Sequence, residues 1–335
     1  MIASGRAVSA LRRWSNVALL AVLTTTLACP ICGGEIAWPA RPIHILVAYP
    51  AGGVSDAIAR ALAEKAAVGL GTPVVVENRP GAGGRVAMEM LARSAPDGYV
   101  LCFSAITPLA LAPHVGLVAF DPVSDIAPVI SVMYTPVLVV GTPALEAASF
   151  DAMLTAARAL PGRIRWATSG IATTGHMVLE QVRIASGLDI THIPYKGGGQ
   201  QLVDALAGQF EILSTNAGAQ QVELVRSGRL KPLAVGAPTR LSVLPDVPTL
   251  SELGFPKANI VSLFGLFAPG RTPQEVLSRL NAEFHKVLRD PDIRARLEAV
   301  DNLPAGGSSA EFAAQISRAS EENRRLVEAA RISTE

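Results

Sequence analysis

The chain has 335 residues, of which 50% are hydrophobic and 17% charged, and its net charge is +1. This length is sufficient for two domains with hydrophobic cores. A near-neutral net charge without a basic tract argues against nucleic-acid binding. The aromatic content of 5% provides few side chains on which bases or sugars could stack.

The N-terminal segment, residues 1–37, predicts a targeting signal that is removed on export. Three arginines precede an apolar run, residues 17–23, that is too short to span a bilayer, and small residues follow it. We expect an exported protein whose mature chain begins between Glu35 and Trp38. We expect no lipid on Cys29, because Thr26 stands where a lipoprotein signal carries a large aliphatic residue.

Residues 43–64 predict a strand, a glycine turn and a helix in succession. The apolar opening is typical of a buried parallel strand, and the pair Gly52-Gly53 suits a tight turn or a close backbone approach. Ser55 or Asp56 is expected to cap the helix. Because the first N–H groups of a helix are unpaired and its dipole is positive there, this turn predicts an anion site. An ordinary βα turn is the alternative interpretation.

Strands alternate with helices after the targeting segment, and this rhythm predicts parallel sheets covered by helices on both faces. Residues 129–134 and 137–140 are expected to be two extended segments on either side of Thr135-Pro136, where the chain crosses into a second lobe. Residues 164–176 then repeat the opening geometry of strand, small-residue loop and helix start. Two such helix starts that face each other across a cleft would clamp one anionic ligand.

The sequence predicts one further helix boundary and lacks the common catalytic motifs. Residues 272–275 have a capping-box pattern at a helix start. Residues 81–86 fail the dinucleotide fingerprint, and neither a P-loop nor a Gly-x-Ser-x-Gly motif is present. The histidines lack metal-ligand spacing, so we expect no catalytic residue, metal or cofactor. His176 is a candidate for ligand binding or helix capping, and Lys196 for neutralising a ligand or for a solvated loop position.

Seven motifs follow one another along residues 38–331. They are Trp38-Pro39-Ala40-Arg41-Pro42-Ile43, Ala51-Gly52-Gly53 with Asp56, VVVENRPGAGG from Val74 to Gly84, Ala95-Pro96-Asp97-Gly98-Tyr99, Thr173-Thr174-Gly175-His176, Pro194-Tyr195-Lys196-Gly197-Gly198 and Leu244-Pro245-Asp246-Val247-Pro248-Thr249. With these motifs, the chain resembles the substrate-binding receptors of tripartite tricarboxylate transporters, the Bug-type periplasmic receptors.

The resemblance implies an α/β fold of the two-lobed periplasmic-binding-protein type (type II-like). Each lobe is expected to have a mainly parallel sheet flanked by helices, with the ligand cleft between the lobes. The implied division places residues 38–135 and 262–335 in the first lobe and residues 136–261 in the second, after the processed segment 1–37.

The function implied by the resemblance is that of a periplasmic receptor rather than an enzyme. Such a receptor binds a small organic carboxylate and delivers it to membrane transporter subunits. Two alternatives stay open: a sensor-input receptor that contacts a sensor kinase, and an exported α/β enzyme that acts on a small acid. We expect a monomer without a nucleic-acid partner.

The resemblance also implies that two loops, residues 49–56 and 169–176, hold the ligand carboxylate largely through backbone N–H groups and water. The expected ligand-binding residues are Tyr49, Ala51, Gly52, Gly53, Ser55, Asp56, Ser104, Ser169, Ala172, Thr173, Thr174, His176, Tyr195, Lys196, Gly197 and Asn216. Ser104 is expected in the distal part of the pocket. The segment 214–217 lacks an aspartate that family members often carry, which disfavours a ligand with an ammonium group.

Overall fold

The computed structural model describes residues 38–330 and residue 332. The predictions of signal-peptide cleavage and of an unlipidated Cys29 fall on residues outside this part of the chain. The described residues form ten strands, ten α-helices and two short 3₁₀ turns. Within these ranges, no helix combines the length and the apolar composition that crossing a membrane requires.

Strands and helices alternate along most of the chain, as the sequence predicts. The strands are β1 (Ile43–Val47), β2 (Val74–Asn78), β3 (Val100–Ala105), β4 (Ile126–Gly141), β5 (Arg165–Thr168), β6 (Thr191–Pro194), β7 (Ile212–Asn216), β8 (Lys231–Gly236), β9 (Val261–Pro269) and β10 (Leu303–Pro304). The helices are α1 (Val54–Leu70), α2 (Arg85–Ala92), α3 (Thr107–Ala110), α4 (Phe150–Ala159), α5 (Thr174–Ser186), α6 (Gly198–Leu206), α7 (Ala219–Arg226), α8 (Gln274–Val287), α9 (Pro291–Glu298) and α10 (Ser309–Ala330). The 3₁₀ turns are Ala82–Gly84 and Ala112–Val115.

The strands form two mixed sheet regions, which confirms the predicted two-lobed α/β fold. In the first lobe β2, β1 and β3 are parallel, and β9 and then β4 continue the sheet as antiparallel strands. In the second lobe β6, β5 and β7 are parallel, and β4 and then β8 continue it in the same way. The two lobes therefore share one strand order, in which the fourth strand crosses over from the other lobe.

Both predicted extended segments are confirmed, and they belong to one continuous crossing strand, β4, which runs through Thr135-Pro136. It pairs with β9 from Ile126 to Pro136 and with β7 and β8 from Val137 to Gly141. Proline lacks the N–H that a central strand donates. Pro136 is tolerated because it lies where the pairing of β4 with β9 ends and its pairing with β7 and β8 begins. The Pro136 carbonyl accepts a hydrogen bond from the Ala217 N–H at 2.8 Å. The lobe boundaries at 135/136 and 261/262 stay a prediction.

Alternating side chains of β1 show how helices cover both faces of the first sheet. Ile45 packs on one face in a cluster with Leu62 of α1, whereas Leu46 packs on the other with Phe312 of α10. Burying one such side chain stabilises the fold by about 1.5–3 kcal/mol. Because both faces are covered, the carboxyl ends of the parallel strands are the open side of the sheet.

The predicted capping box at residues 272–275 is wrong. Helix α8 begins at Gln274, and the residue before it, Pro273, makes no side-chain cap. The Thr272 hydroxyl instead donates to the Pro269 carbonyl at 2.7 Å. This bond ties the helix start to the end of β9.

Candidate functional site

A cavity of about 390 Å³ lies between the lobes. Its walls come from the segments that follow the parallel strands. These segments are residues 52–55 after β1, Gly83 after β2, Thr107 after β3, residues 173–175 after β5, residues 198–202 after β6 and residues 220–221 after β7. Ligands of open α/β sheets bind outside the carboxyl ends of the strands, so the cavity occupies the position expected of a binding site.

The two lobes approach each other closely at the rim of the cavity. A β-carbon added at Gly218, before α7, would overlap Cγ2 of Val54 at the start of α1. A β-carbon at Gly83 would lie 3.0 Å from Cγ2 of Thr173. These glycines allow the closest approach of one lobe to the other.

Four helices of eight or more residues, α1, α5, α6 and α7, place their N-termini at the cavity without a side-chain cap. Their N-cap residues are Gly53, Thr173, Gly197 and Gly218. Among the helices whose starts do not line the cavity, α4 and α9 are capped by the side chains of Ser149 and Asp290, whereas α2 and α8 have no side-chain cap. Uncapped first-turn N–H groups and the positive end of the dipole together attract an anion.

Asp56 shapes the first loop instead of capping α1, so the predicted capping by Ser55 or Asp56 is wrong. Its carboxylate accepts hydrogen bonds from the Gly52 N–H, from Asn78 Nδ2 and from Arg60 Nε, each at 2.9 Å. Burial would raise the pKa of Asp56, but these hydrogen bonds outweigh it and hold the pKa below its usual range. The ionised carboxylate thereby folds the glycine turn back onto the helix.

His176 lies behind the second loop, with its ring buried. Its Nδ1 accepts a hydrogen bond from the Ala172 N–H at 3.3 Å, and its ring stacks on that of His192 with centroids 4.1 Å apart. Ala172 has a φ of 58°, which is uncommon for a residue other than glycine. We conclude that His176 holds the backbone of this loop in place.

Two groups beside His176, the half-buried His192 and the buried Glu180, have shifted pKa values. Burial, together with the neighbouring His176 ring, lowers the pKa of His192 to about 3. Burial would raise the pKa of Glu180, but the hydrogen bond from His176 and the charge of Arg183 outweigh it, so this pKa is lowered. At neutral pH the loop is therefore supported by a neutral His192 and an ionised Glu180.

Within the described residues 38–330, no Asp, Glu, Lys, Arg or His side chain lines the cavity. Its polar groups are hydroxyls, amides and backbone N–H groups. The Tyr49 hydroxyl accepts a hydrogen bond from the Ala105 N–H at 3.2 Å, and burial raises the pKa of Tyr49 to about 12, so that it too is neutral. Any anion in this cavity is held by neutral donors.

Nine of the predicted ligand-binding residues line the cavity. They are Tyr49, Ala51, Gly52, Gly53, Ser55, Ser169, Thr173, Thr174 and Asn216. Whether they contact a ligand stays a prediction.

The other seven predicted residues do not line the cavity. They are Asp56, Ser104, Ala172, His176, Tyr195, Lys196 and Gly197. Ser104 is fully buried, and Lys196 is exposed to solvent. The Tyr195 hydroxyl donates to Asp204 at 2.7 Å, and burial together with this bond raises the pKa of Tyr195 to about 12. Gly197 supplies the backbone turn before α6, with a φ of 150°.

The crossing strands supply lining residues that the sequence analysis missed. Thr135 of β4 and Ser262 of β9 are opposite each other in register, and both are buried. The Ser262 hydroxyl donates to Oδ1 of Asn216 at 2.9 Å. The start of α7, residues 220–221, was also missed, although the pattern of strand followed directly by helix could have identified it.

A two-lobed α/β fold closed over a cavity at the strand ends defines the class of solute-binding receptors. The family model described as tripartite tricarboxylate transporter family receptor (TctC) matches residues 58–332. The chain therefore belongs to this receptor family, as the sequence motifs predict.

Three relatives show the extent of the similarity. Protein BugT of Bordetella pertussis (strain Tohama I) is 36% identical over 274 residues, covering 80% of this chain and 82% of BugT. The solved structure of Rpa4515 of R. palustris with adipate is 28% identical, with a TM-score of 0.82, and covers 88% of this chain and 99% of that one. MatC of Rhodopseudomonas palustris with bound malate is 26% identical, with a TM-score of 0.80, covering 87% of this chain and 100% of that one.

Proposed function

We propose that this protein is a periplasmic receptor that captures a small organic diacid between its lobes and delivers it to the membrane subunits of a tripartite tricarboxylate-type transporter. The observation that carries the proposal is the convergence of four uncapped helix N-termini on a cavity whose described lining has no charged side chain. The diacid-bound relatives, with adipate and malate, support the same ligand class.

The charge of the helix ends matches a doubly negative ligand. Each helix N-terminus is equivalent to roughly +0.5 elementary charge, so four ends supply about +2. A hydrogen bond from an N–H group to an anion contributes roughly 1.5–3 kcal/mol, against about 0.5–1.5 kcal/mol for a neutral acceptor. The ionised form of the acid is therefore what the site recognises. A ligand ammonium would find no carboxylate in the lining.

The two lobes of the receptor move relative to each other in this function. Residues 38–135 with 262–335 form one lobe, and residues 136–261 form the other. They close about the crossing strands β4 and β9 when a ligand contacts both. The cavity residues of the two predicted loops, 49–55 and 169–174, bind one carboxylate through backbone N–H groups.

A comparison of acids with their amides tests the charge argument. A thermal-shift screen over mono-, di- and tricarboxylates and amino acids identifies the ligand, because a ligand that binds only the folded state raises its apparent stability. Calorimetric titration then compares succinate, glutarate, adipate and L-malate with their mono-amides at one pH and one salt concentration. We expect each amide of a binding acid to lose about 2–4 kcal/mol, or roughly 30- to 1,000-fold in affinity. Mono-amides that all bind within threefold of their acids would refute the helix-end site.

A further inference from the structure

One amide in the cavity has its orientation fixed from the crossing strands. Asn216 is the last residue of β7, is half-buried and lines the cavity. Its Oδ1 accepts the hydrogen bond from the Ser262 hydroxyl at 2.9 Å. The oxygen is thus occupied, and the Nδ2 group, which carries two N–H donors, has no acceptor within residues 38–330.

Ser262 is well placed to hold this orientation. It is 3% exposed and lies on β9, in register with Thr135 of β4, which is fully buried. The Thr135 hydroxyl has no hydrogen-bond partner in the described part of the chain, so this point of the crossing strands holds two buried hydroxyls beside the amide. A buried polar group without a partner costs about 1–3 kcal/mol, which native structures accept mainly where function requires it.

The rest of the lining determines what the Asn216 donors meet. Among the described residues, no carboxylate side chain lines the cavity, so no negatively charged acceptor of the protein competes with a ligand for these N–H groups. The uncapped ends of α6 and α7 belong to the same lobe and add further donors. A ligand group bound here must therefore be an acceptor.

We propose that Asn216, oriented by Ser262, binds the second carboxylate of the ligand, so that the site selects diacids against ω-amino acids of the same length. This inference rests on the proposed function and adds the residue that binds the second carboxylate of the ligand. Asn216 contacts the ligand, whereas Ser262 is a positioning residue. The hydrogen bond between Ser262 and Asn216 also joins β7 of the second lobe to the crossing strand β9. The second carboxylate is therefore bound beside the strands about which the lobes close.

Replacing Asn216 with aspartate should invert the selectivity. The aspartate is nearly isosteric, and one of its oxygens can still accept from Ser262. The other oxygen then presents an acceptor and a negative charge where the wild-type amide presents donors. A second carboxylate would be repelled, and an ammonium group would be bound.

The experiment titrates three matched pairs: succinate with 4-aminobutyrate, glutarate with 5-aminopentanoate, and adipate with 6-aminohexanoate. For the best-fitting length, we expect wild type to prefer the diacid by about 10- to 100-fold, since one charge-assisted contact is lost in the amino acid. Asn216→Asp should reverse the sign of this preference. Ser262→Ala should reduce the preference to within about threefold by releasing the amide, and Ser262→Thr should restore it.

Melting curves and circular dichroism of each variant establish that it is folded. The ratio of the two affinities is the decisive readout, because a merely structural defect weakens both members of a pair together. An Asn216→Asp variant that keeps the wild-type ratio, or a Ser262→Ala variant that keeps it, would overturn the inference while the diacid receptor stands. Failure of every diacid to bind wild type would overturn the proposed function itself.

Discussion

The close contact between Gly218 and Val54 provides a direct test of lobe closure. Gly218 has extended backbone angles, φ −148° and ψ 165°, which alanine adopts without strain. A β-carbon there would overlap Cγ2 of Val54 in the opposite lobe and lie 2.9 Å from Oε1 of Gln221, whose side chain can move away. Gly218→Ala should therefore destabilise the closed form and leave each lobe unchanged.

The size of the effect follows from the cost of overpacking. An added methyl group in a well-packed contact costs typically 1–3 kcal/mol. Because the closed form alone bears this cost, the affinity for a diacid should fall by roughly 5- to 150-fold. Val54→Ala removes the overlapping methyl group, so the double variant should recover most of the loss, with a coupling of at least about 1 kcal/mol in a double-mutant cycle.

Calorimetric titration of wild type, both single variants and the double variant measures this coupling. Small-angle scattering of the same four proteins with saturating diacid reports closure as a smaller radius of gyration. The reasoning is refuted if Gly218→Ala binds within twofold of wild type, or if the double variant binds no more tightly than Gly218→Ala.

Two further predictions concern the cavity and the buried histidine. Gly53→Val should keep the fold, because Gly53 has a φ of −80° and the nearest atom to an added β-carbon lies at 3.6 Å. It should abolish ligand binding, because the branched side chain covers the first-turn N–H groups. Circular dichroism checks the fold and calorimetry checks binding; unchanged affinity would show that the ligand does not approach this turn. The pKa of His192 is about 3 in the folded state and about 6.5 in the unfolded state. Below pH 6.5 the unfolded state therefore binds more protons, and the free energy of unfolding decreases as the pH is lowered. This residue should cost wild type about 2 kcal/mol between pH 7 and pH 5, and His192→Gln should lose correspondingly less in denaturant titrations; equal losses would contradict the assignment.

The part of the site that the sequence predicts is the part encoded locally. A strand, a glycine turn and a helix start follow one another within about fifteen residues, so the ends of α1 and α5 could be identified from residues 43–64 and 164–176. The alternation of strands and helices gave the fold class for the same reason. The detail of the turn was not predictable: Asp56 resembles a helix cap in sequence, but its carboxylate accepts from the Gly52 N–H that precedes the cap position.

The rest of the site depends on contacts between distant residues. Thr135 and Ser262 meet because β4 and β9 pair in antiparallel register, and no local pattern specifies that register. Ser104 looks like a polar residue at a strand end, yet the strand is covered on both faces and its side chain is buried. His176 begins a helix at the cavity, yet its ring faces His192 and not the ligand side, which depends on how α5 packs against β6.

The unequal contribution of the two lobes explains how binding leads to closure. Four helices of eight or more residues begin at the cavity without a side-chain cap; α5, α6 and α7 belong to the second lobe and α1 to the first, where the four-residue helix α3 also begins at the cavity. A ligand shifts an equilibrium only by the difference in its affinity for the two states, so contacts made entirely within the second lobe favour neither the open nor the closed form. Under the proposed function, the contacts of the ligand with Gly53 and Val54 form only as α1 moves onto the ligand. We therefore propose that the glycine turn before α1 converts occupancy of the cavity into lobe closure, so a side chain at this turn should affect closure as much as affinity.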